Sequence, residues 1–481
     1  MMENVTERLA HAVTNIGFDD LPQDVIKGIK WILLDSIGCA LGGSQTDKAR
    51  MSLELINELG GNPQASIIGG PYTSYALAAF VNAELINALD YDYIGPLVGH
   101  VCPYVTPPCL SIGERQNASG KDLIVALAVG HEVGGRMVNS LVQANMPKDE
   151  PPYYEESLRY SYSHSVFGGV AGAGKLLGFD AEKMRNAFGI AGMSTAVPAS
   201  MKWSHTGGPA IMLKYGAWPG WISQLATTAA LVAEKGFTGD TTVLDGKWGY
   251  WQMVGSPFFK VDNLLKGLGE VWHATRGEYK PYPCCRCNHA GIDGICNLMQ
   301  QHGIKPGDIE EIVVKGDSWL QQPHRMGREL KSPLDIQFAN MYIFGLAPYF
   351  GLIPSPAWGT SEVYDLPEIK AMSEKVKIEL HPQTDEIIAG KVKAGQKPGF
   401  RKTIVEIKAK GRKFVTEVEG PRGDPDNPLS ESELLEKFRH NASYSFLEKE
   451  KAEKIIEAIL NLDELDSVKE LGKLWSVKHL R

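Results

Sequence analysis

The sequence predicts a mostly α protein: a large all-helical domain carrying an inserted α+β lid domain. Three observations carry that expectation. Through about residue 270, apolar residues recur at helical spacing in one segment after another. From about 275 to 425 the period shortens to the apolar–polar alternation of half-buried strands. Helical spacing then returns. The expected boundaries are 1–274 for the first part of the helical domain, 275–425 for the lid, and 426–481 for the remainder of the helical domain. A chain of 481 residues exceeds what one hydrophobic core usually serves, in keeping with two domains.

The first clear helix is LPQDVIKGIKWILLDSIGCALGG, with Pro22 at its start and Gly42-Gly43 at its end, each placed as helix punctuation. The same periodicity marks ALAAFVNAELINALDYD, DLIVALAVGHEVGGRMVNSL, HSVFGGVAGAGKLLG, AEKMRNAFGIAGM and WISQLATTAALVAEKG. Glycine costs helix propensity, but small residues let helices approach closely, so these segments predict a tightly packed body. In the lid, IEEIVVKG, VKIELHP and the pair KTIVEIKAKG and KFVTEVEG read as strands. The last two form a hairpin joined by a short Gly-Arg-Lys connection. ELLEKFRHNA and EKIIEAILNL close the pattern as helices, with Ser430 and Glu433 spaced as a capping box.

Composition narrows the class. At 43% hydrophobic and 22% charged, the chain suits a soluble globular protein, and a net charge of -8 argues against a nucleic-acid partner. No apolar run reaches eighteen residues, and MMENVTERLAHAV lacks a signal-peptide core, so the expectation is a cytoplasmic protein with no membrane contact. Seven cysteines, several in apolar helical patterns such as Cys39, fit reduced buried thiols.

Four constellations could carry chemistry. GVAGAGK, Gly169 to Lys175, has phosphate-loop spacing, but Leu176 stands where a Ser or Thr should ligate magnesium, and helix packing explains it better. KPYPCCRCNH, Lys280 to His289, holds Cys284, Cys285 and Cys287, with Cys296 nearby. Structural zinc needs a second, separated ligand pair and iron–sulfur clusters take four thiolates, so no metal or cofactor is expected and the thiols pack beside a polar cleft. In NALDYDYIGPLVGH a helix runs into Asp90 and Asp92, then a glycine-bearing loop leads to His100. That pattern places a general acid or base at a cleft, or equally a plain helix end with a solvated histidine. Lys202, His205 and Lys214 in MKWSHTGGPAIMLKYGAWPG, with Arg159 and His164 in LRYSYSHSVFGG, suit an anionic ligand such as a carboxylate, or are ordinary surface charge.

Several stretches, in order, resemble the MmgE/PrpD family: LLDSIGCALGG, ALDYDYIGPLVGH, SGKDLIVALAVGHEVGGRM, GAGKLLGFDAEKMRNAFGIAG, LVAEKGFTGD with LDGKWGYW, KPYPCCRCNHAGIDGI and PLDIQFANMY. The resemblance spans roughly Ile32 to Tyr342, and PLSESELLEKFRH fits the closing helix. It implies a metal-free homodimer whose active site lies in the cleft between helical domain and lid. Asp90 and His100 fall on the family's active-site aspartate and histidine, Lys280 on its lid-proximal lysine, Tyr342 on its tyrosine, and His289 on the histidine after KPYPxC. Departures are equally plain. Tyr93 and Ile94 replace a second acid and a threonine. A histidine usually before the small-residue helix has Arg159 or His164 nearest. Ile211 stands at a usual lysine, leaving Lys214 or Lys202 as substitutes, and the helix start is altered to GAWPG. With Trp203, Trp218 and Trp221 nearby, these changes point to a different or less charged substrate.

The implied chemistry is proton transfer at carbon next to a carboxylate. His100 serves as general base or acid, because imidazole titrates near working pH. Asp90 orients it, Lys280 binds a substrate carboxylate and stabilises an enolate, and Tyr342 bonds a leaving hydroxyl or a carboxylate. The leading expectation is a cofactor-independent lyase, a 2-methylcitrate dehydratase-like enzyme acting on a hydroxylated di- or tricarboxylate. A decarboxylase of cis-aconitate type follows, then an epimerase of a carboxylated amino-acid derivative. An iron–sulfur hydro-lyase and a non-catalytic binding protein are the rivals from other classes.

Overall fold

The computed structural model describes residues 3–95, 99–141, 161–195, 203, 211–213, 217–256, 258–327, 329–330, 332–351, 355–393 and 402–477. Long helices dominate the first part: Gln23–Gly43, Tyr75–Ile86, Cys102–Gln116, Gly120–Leu141, Val166–Leu176, Ala181–Ser194 and Pro219–Glu234. Their apolar faces form one buried core with Leu434, Phe438, Ile455 and Trp475 from the last helices. Glu431–Tyr444 reaches that core by packing on Gln23–Gly43, and its first turn carries the Ser430–Glu433 capping box. Small residues set the helix spacing. A Cβ on Gly168 would run into the backbone of Gly130 and Gly134, and one on Gly169 into the Tyr104 carbonyl. GVAGAGK is therefore a packed stretch of Val166–Leu176, as its missing magnesium ligand implied.

A second buried core runs from Tyr282 to Ala409. Its four-stranded sheet has the order 376–380, 309–316, 403–409, 412–418. The central strand Ile309–Gly316 is parallel to Val376–Leu380 and antiparallel to Thr403–Ala409. The closing hairpin differs in detail from the sequence expectation. Ala409 pairs with Arg412, so the connection is Lys410-Gly411, and both of these residues have positive φ. Two left-handed residues form the tight turn that matches strand twist, and Arg412-Lys413 begin the returning strand. Among the described residues, no helix is long and apolar enough to cross a membrane.

One correction bears on the site. The helix expected to run into Asp90 and Asp92 stops at Ile86. Asn87, Ala88 and Asp90 form turns instead, Asp90 takes a left-handed conformation (φ 52°), and the Asn87 side chain bonds forward to Asp92. A left-handed residue cannot continue a right-handed helix, so the chain turns at Asp90.

Candidate active site

The run Asp90-Tyr91-Asp92-Tyr93 divides its labour between residues. The two tyrosines fasten the run. Tyr91 donates its hydroxyl to the Pro281 carbonyl at 3.1 Å, and Tyr93 donates to the Ala274 carbonyl at 2.8 Å. Below them lies a buried ion pair, Lys437 Nζ to Asp35 Oδ1 at 2.6 Å. Lys437 also donates to the Tyr91 carbonyl at 2.8 Å and stands 4.0 Å from the Tyr91 ring centre, while Asp35 accepts from the Tyr93 amide at 2.9 Å. Burial works against the Lys437 charge, but the Asp35 carboxylate outweighs it and holds the ammonium above its usual range.

The two aspartates face the imidazole. His100 Nδ1 lies 2.8 Å from Asp92 Oδ2, and its Nε2 lies 3.1 Å from Asp90 Oδ1. Asn87 Nδ2 donates to the other Asp92 oxygen at 2.9 Å. Lys280 Nζ completes the group, 2.8 Å from Asp90 Oδ2 and 2.5 Å from the Asp90 carbonyl. Burial opposes the Lys280 charge, yet Asp90, Asp92 and Cys285 more than offset it and raise the ammonium above its ordinary range. All four groups are nearly inaccessible: Lys280 and Asp92 are 0% exposed, Asp90 1% and His100 5%. Such depth strengthens every electrostatic contact among them.

Backbone pairing explains why residues 190 positions apart meet. Ile94 and Glu278 exchange amide–carbonyl bonds of 2.9 and 2.8 Å, and Ile94 is also bridged to His100. The antiparallel direction carries Asp92 and Lys280 toward the same end of that pairing. The preceding loop is fixed by Glu132, whose carboxylate accepts from the His273 and Ala274 amides at 2.8 Å while holding Arg136 at 2.6 Å. Thus the HEVGGR stretch is structural.

Other expected residues fall differently. His289 is fully buried, with Nδ1 accepting from Arg286 at 2.9 Å and Nε2 donating to the Cys284 carbonyl at 3.2 Å. Burial, reinforced by the Arg286 and Lys280 charges, pushes it well below the usual histidine range. Its ring thus ties Arg286 to the Cys284 carbonyl within the KPYPCCRCNH turn. His164 sits 2.8 Å from the Tyr250 hydroxyl, and burial lowers it to about 4. Tyr342 lies in the second apolar core on the helix Asn340–Phe350. From the same PLDIQFANMY stretch it is Gln337 that reaches the NALDYD turn: its side chain donates to the Ala88 carbonyl at 2.7 Å, and its backbone carbonyl accepts from the Cys285 amide at 2.8 Å. Arg159, Lys202, His205 and Lys214 lie outside the described residues. Sequence reasoning did not single out Asn87, Asp35, Lys437 or Gln337; alternation in DYDY is the one signal that could have pointed to a fastening partner.

A cavity of about 630 Å³ opens at the turn that precedes this group, lined by Asn87, Ala88, Leu334, Gln337, Lys48 and His440 among others, while Asp90, Asp92, His100 and Lys280 lie behind its wall. Its wall thus joins the NALDYD turn, residues from the 333–364 stretch and the returning helix Glu431–Tyr444. Among the described residues no group of three or more His, Cys, Asp and Glu side chains is placed to hold a metal ion. Chemically, a histidine held by two carboxylates beside a buried ammonium can move a proton and stabilise negative charge.

Comparison with known proteins agrees with the sequence resemblance. Residues 7–260 match the MmgE/PrpD N-terminal domain and residues 282–464 the MmgE/PrpD C-terminal domain. The chain is 25% identical to human cis-aconitate decarboxylase, covering 98% of this chain and 95% of that protein. It is 27% identical to the cis-aconitate decarboxylase-like protein oryM of Aspergillus oryzae, over 98% and 97%. To the cis-aconitate decarboxylase of Aspergillus terreus it is 27% identical, over 62% and 61%.

Proposed function

This chain belongs to the MmgE/PrpD family, and on that premise we propose a lyase that transfers a proton at the carbon next to a substrate carboxylate. The carrying observation is the imidazole of His100 held at both nitrogens by Asp92 and Asp90, with Lys280 on the far oxygen of Asp90. Asp92 fixes the ring through Nδ1, which leaves Nε2 for the proton that moves, as in other carboxylate-oriented histidines. Asp90 accepts from Lys280 through Oδ2 and faces His100 Nε2 through Oδ1, so a substrate carboxylate that reaches Lys280 displaces an Asp90 oxygen. The released ammonium then faces the charge that develops on the substrate's carboxylate.

Two bond-breaking steps fit this arrangement. In decarboxylation the bond to one carboxylate breaks, its electron pair passes through the double bond onto a neighbouring carboxylate beside Lys280, and His100 returns a proton to carbon. In dehydration His100 removes a proton, the pair forms the enolate, and the hydroxyl leaves with a proton from an acid. Decarboxylation of a cis-aconitate-like acid leads here, because relatives matched along 98% of the chain carry that name. Dehydration of a hydroxylated di- or tricarboxylate, the first expectation from sequence, is second, with Tyr342 the candidate partner of the hydroxyl. Carboxylate binding by Arg159, Lys202, His205 and Lys214 belongs to the same proposal.

A panel of unsaturated and hydroxylated acids incubated with enzyme in deuterated water tests it. Carbon dioxide release, a new conjugated absorbance, or deuterium in recovered acid identify decarboxylation, dehydration or epimerisation; none of the three across the panel rejects a lyase. A homodimer is proposed from the family resemblance, and a light-scattering mass of one chain would refute it. A cytoplasmic location is supported by seven cysteines standing as free thiols; fractionation of the host cell tests it.

A further inference from the structure

The thiols of KPYPCCRCNH are not equivalent. Cys284 is buried and burial pushes its thiol up, as it does for Cys39, Cys102, Cys109 and Cys296. Cys285 differs. Its sulfur accepts from Arg325 Nη2 at 3.3 Å and shares a hydrogen bond with the Cys287 thiol. Arg325 is itself 1% exposed, and Trp203, Leu334 and Phe338 pack around the pair. A buried guanidinium bonded to sulfur favours thiolate over thiol. In agreement, the hydrogen bond from Cys287, with Arg325 and Lys280 adding to it against burial, holds the Cys285 thiol well below its usual range. Cys287 is half-buried, so small solutes reach the pair from its side.

We propose that Cys285 and Cys287 form a peroxide-sensitive thiol pair, a modification site set beside the Lys280 cluster. Cys285 Sγ attacks one oxygen of hydrogen peroxide, the O–O bond breaks, and the departing oxygen takes protons to leave as water. The Cys285 sulfenic acid so formed is attacked by Cys287 Sγ, which gives a disulfide and a second water. Two thiols are oxidised by two electrons and one peroxide is reduced. Reach is adequate: residues two apart span at most about 7 Å, and the intervening turn Arg286–Asn288 shortens this toward the separation that a disulfide bridges. The Cys285 amide bonds the Gln337 carbonyl, and the Gln337 side chain bonds Ala88, so the bridge forms one residue behind the cavity wall.

The test treats the full-length protein with hydrogen peroxide and follows each cysteine by peptide mass. Cys285 is expected to react at least about tenfold faster than Cys109, a buried thiol whose pKa is raised by burial, with no cation beside it among the described residues. The peptide should lose two hydrogens across Cys285 and Cys287, and dithiothreitol should restore them. In Cys287→Ser, Cys285 should instead advance to sulfinic acid, which dithiothreitol does not reverse. Arg325→Met should slow oxidation of Cys285. Equal rates at Cys285 and Cys109, a bridge between Cys284 and Cys285, or reversible oxidation that persists in Cys287→Ser would each overturn the proposal. These readouts use no substrate, so they stand or fall apart from the lyase reading.

Discussion

Asp92 holds His100 from behind: its Oδ2 lies 2.8 Å from Nδ1, and its other oxygen is pinned by Asn87 at 2.9 Å. The ring therefore has one orientation, with Nε2 toward Asp90. Asp92→Asn keeps the shape but removes the carboxylate that fixes the tautomer. Turnover should fall about 10²- to 10⁴-fold, the usual worth of a positioned acid–base group, with KM little changed. Steady-state kinetics on the acid found active in the panel checks this, and a variant altered only in KM would assign Asp92 to binding.

Lys280 and the neighbouring cysteines should separate sharply. Lys280→Met deletes the cation beside Asp90 and strands a buried carboxylate, with a cost of about 3–5 kcal/mol in stability and near-complete loss of activity. Replacing Cys284, Cys285 and Cys287 together by Ala leaves the Lys280–Asp90 contact in place and should cost far less activity. Parallel assays with thermal melts of both variants decide it.

The Asp35–Lys437 pair predicts a double-mutant effect. Lys437→Met alone leaves the buried Asp35 without its ammonium and should destabilise by about 3–5 kcal/mol. Asp35→Asn with Lys437→Met removes both charges and should regain part of that stability, measured by denaturant unfolding. Turnover should not return with it, because the Tyr91 carbonyl loses its anchor in both variants. Full activity in the double variant would show that Lys437 serves the fold alone.

Legibility of fold and site followed the range of the interactions. Helix and strand positions could be read because they rest on local periodicity, as in Ile309–Gly316. The capping box at Ser430 is equally local. The end of the helix at Ile86 could not be read, because it goes with a left-handed Asp90 that apolar spacing does not announce. Lys437 lies 346 residues from Tyr91, and no spacing rule reports such a contact. Asp90 and His100 stood out in the acidic run and glycine-bearing loop of NALDYDYIGPLVGH, family resemblance joined Lys280 to them, and their meeting rests on the Ile94–Glu278 pairing. His289 sits in the same ten-residue motif, yet an internal arginine already occupies its ring.

Acid should weaken the fold through buried imidazoles. His131 is lowered to about 3 and His164 to about 4, both by burial. A histidine depressed in the folded state stays neutral while the unfolded chain takes up a proton, so stability falls as pH drops below about 6.5. Each contributes up to about 1.4 kcal/mol per pH unit in that window. Glu114, raised to about 7 by burial, slopes the other way between its ordinary value and 7. Comparing wild type with His131→Asn from pH 4 to 6.5 isolates the histidine share: the variant should show the shallower dependence.

The most direct measurement follows proton transfer itself, in deuterated water, with wild type and His100→Ala compared on the acid that the panel identifies. Wild type should place deuterium at the carbon next to the carboxylate as product forms, and His100→Ala should lose both product and deuterium while keeping its fold by circular dichroism. A folded His100→Ala variant that still turns over and labels the acid as wild type does would contradict the assignment of His100 as the group that moves the proton.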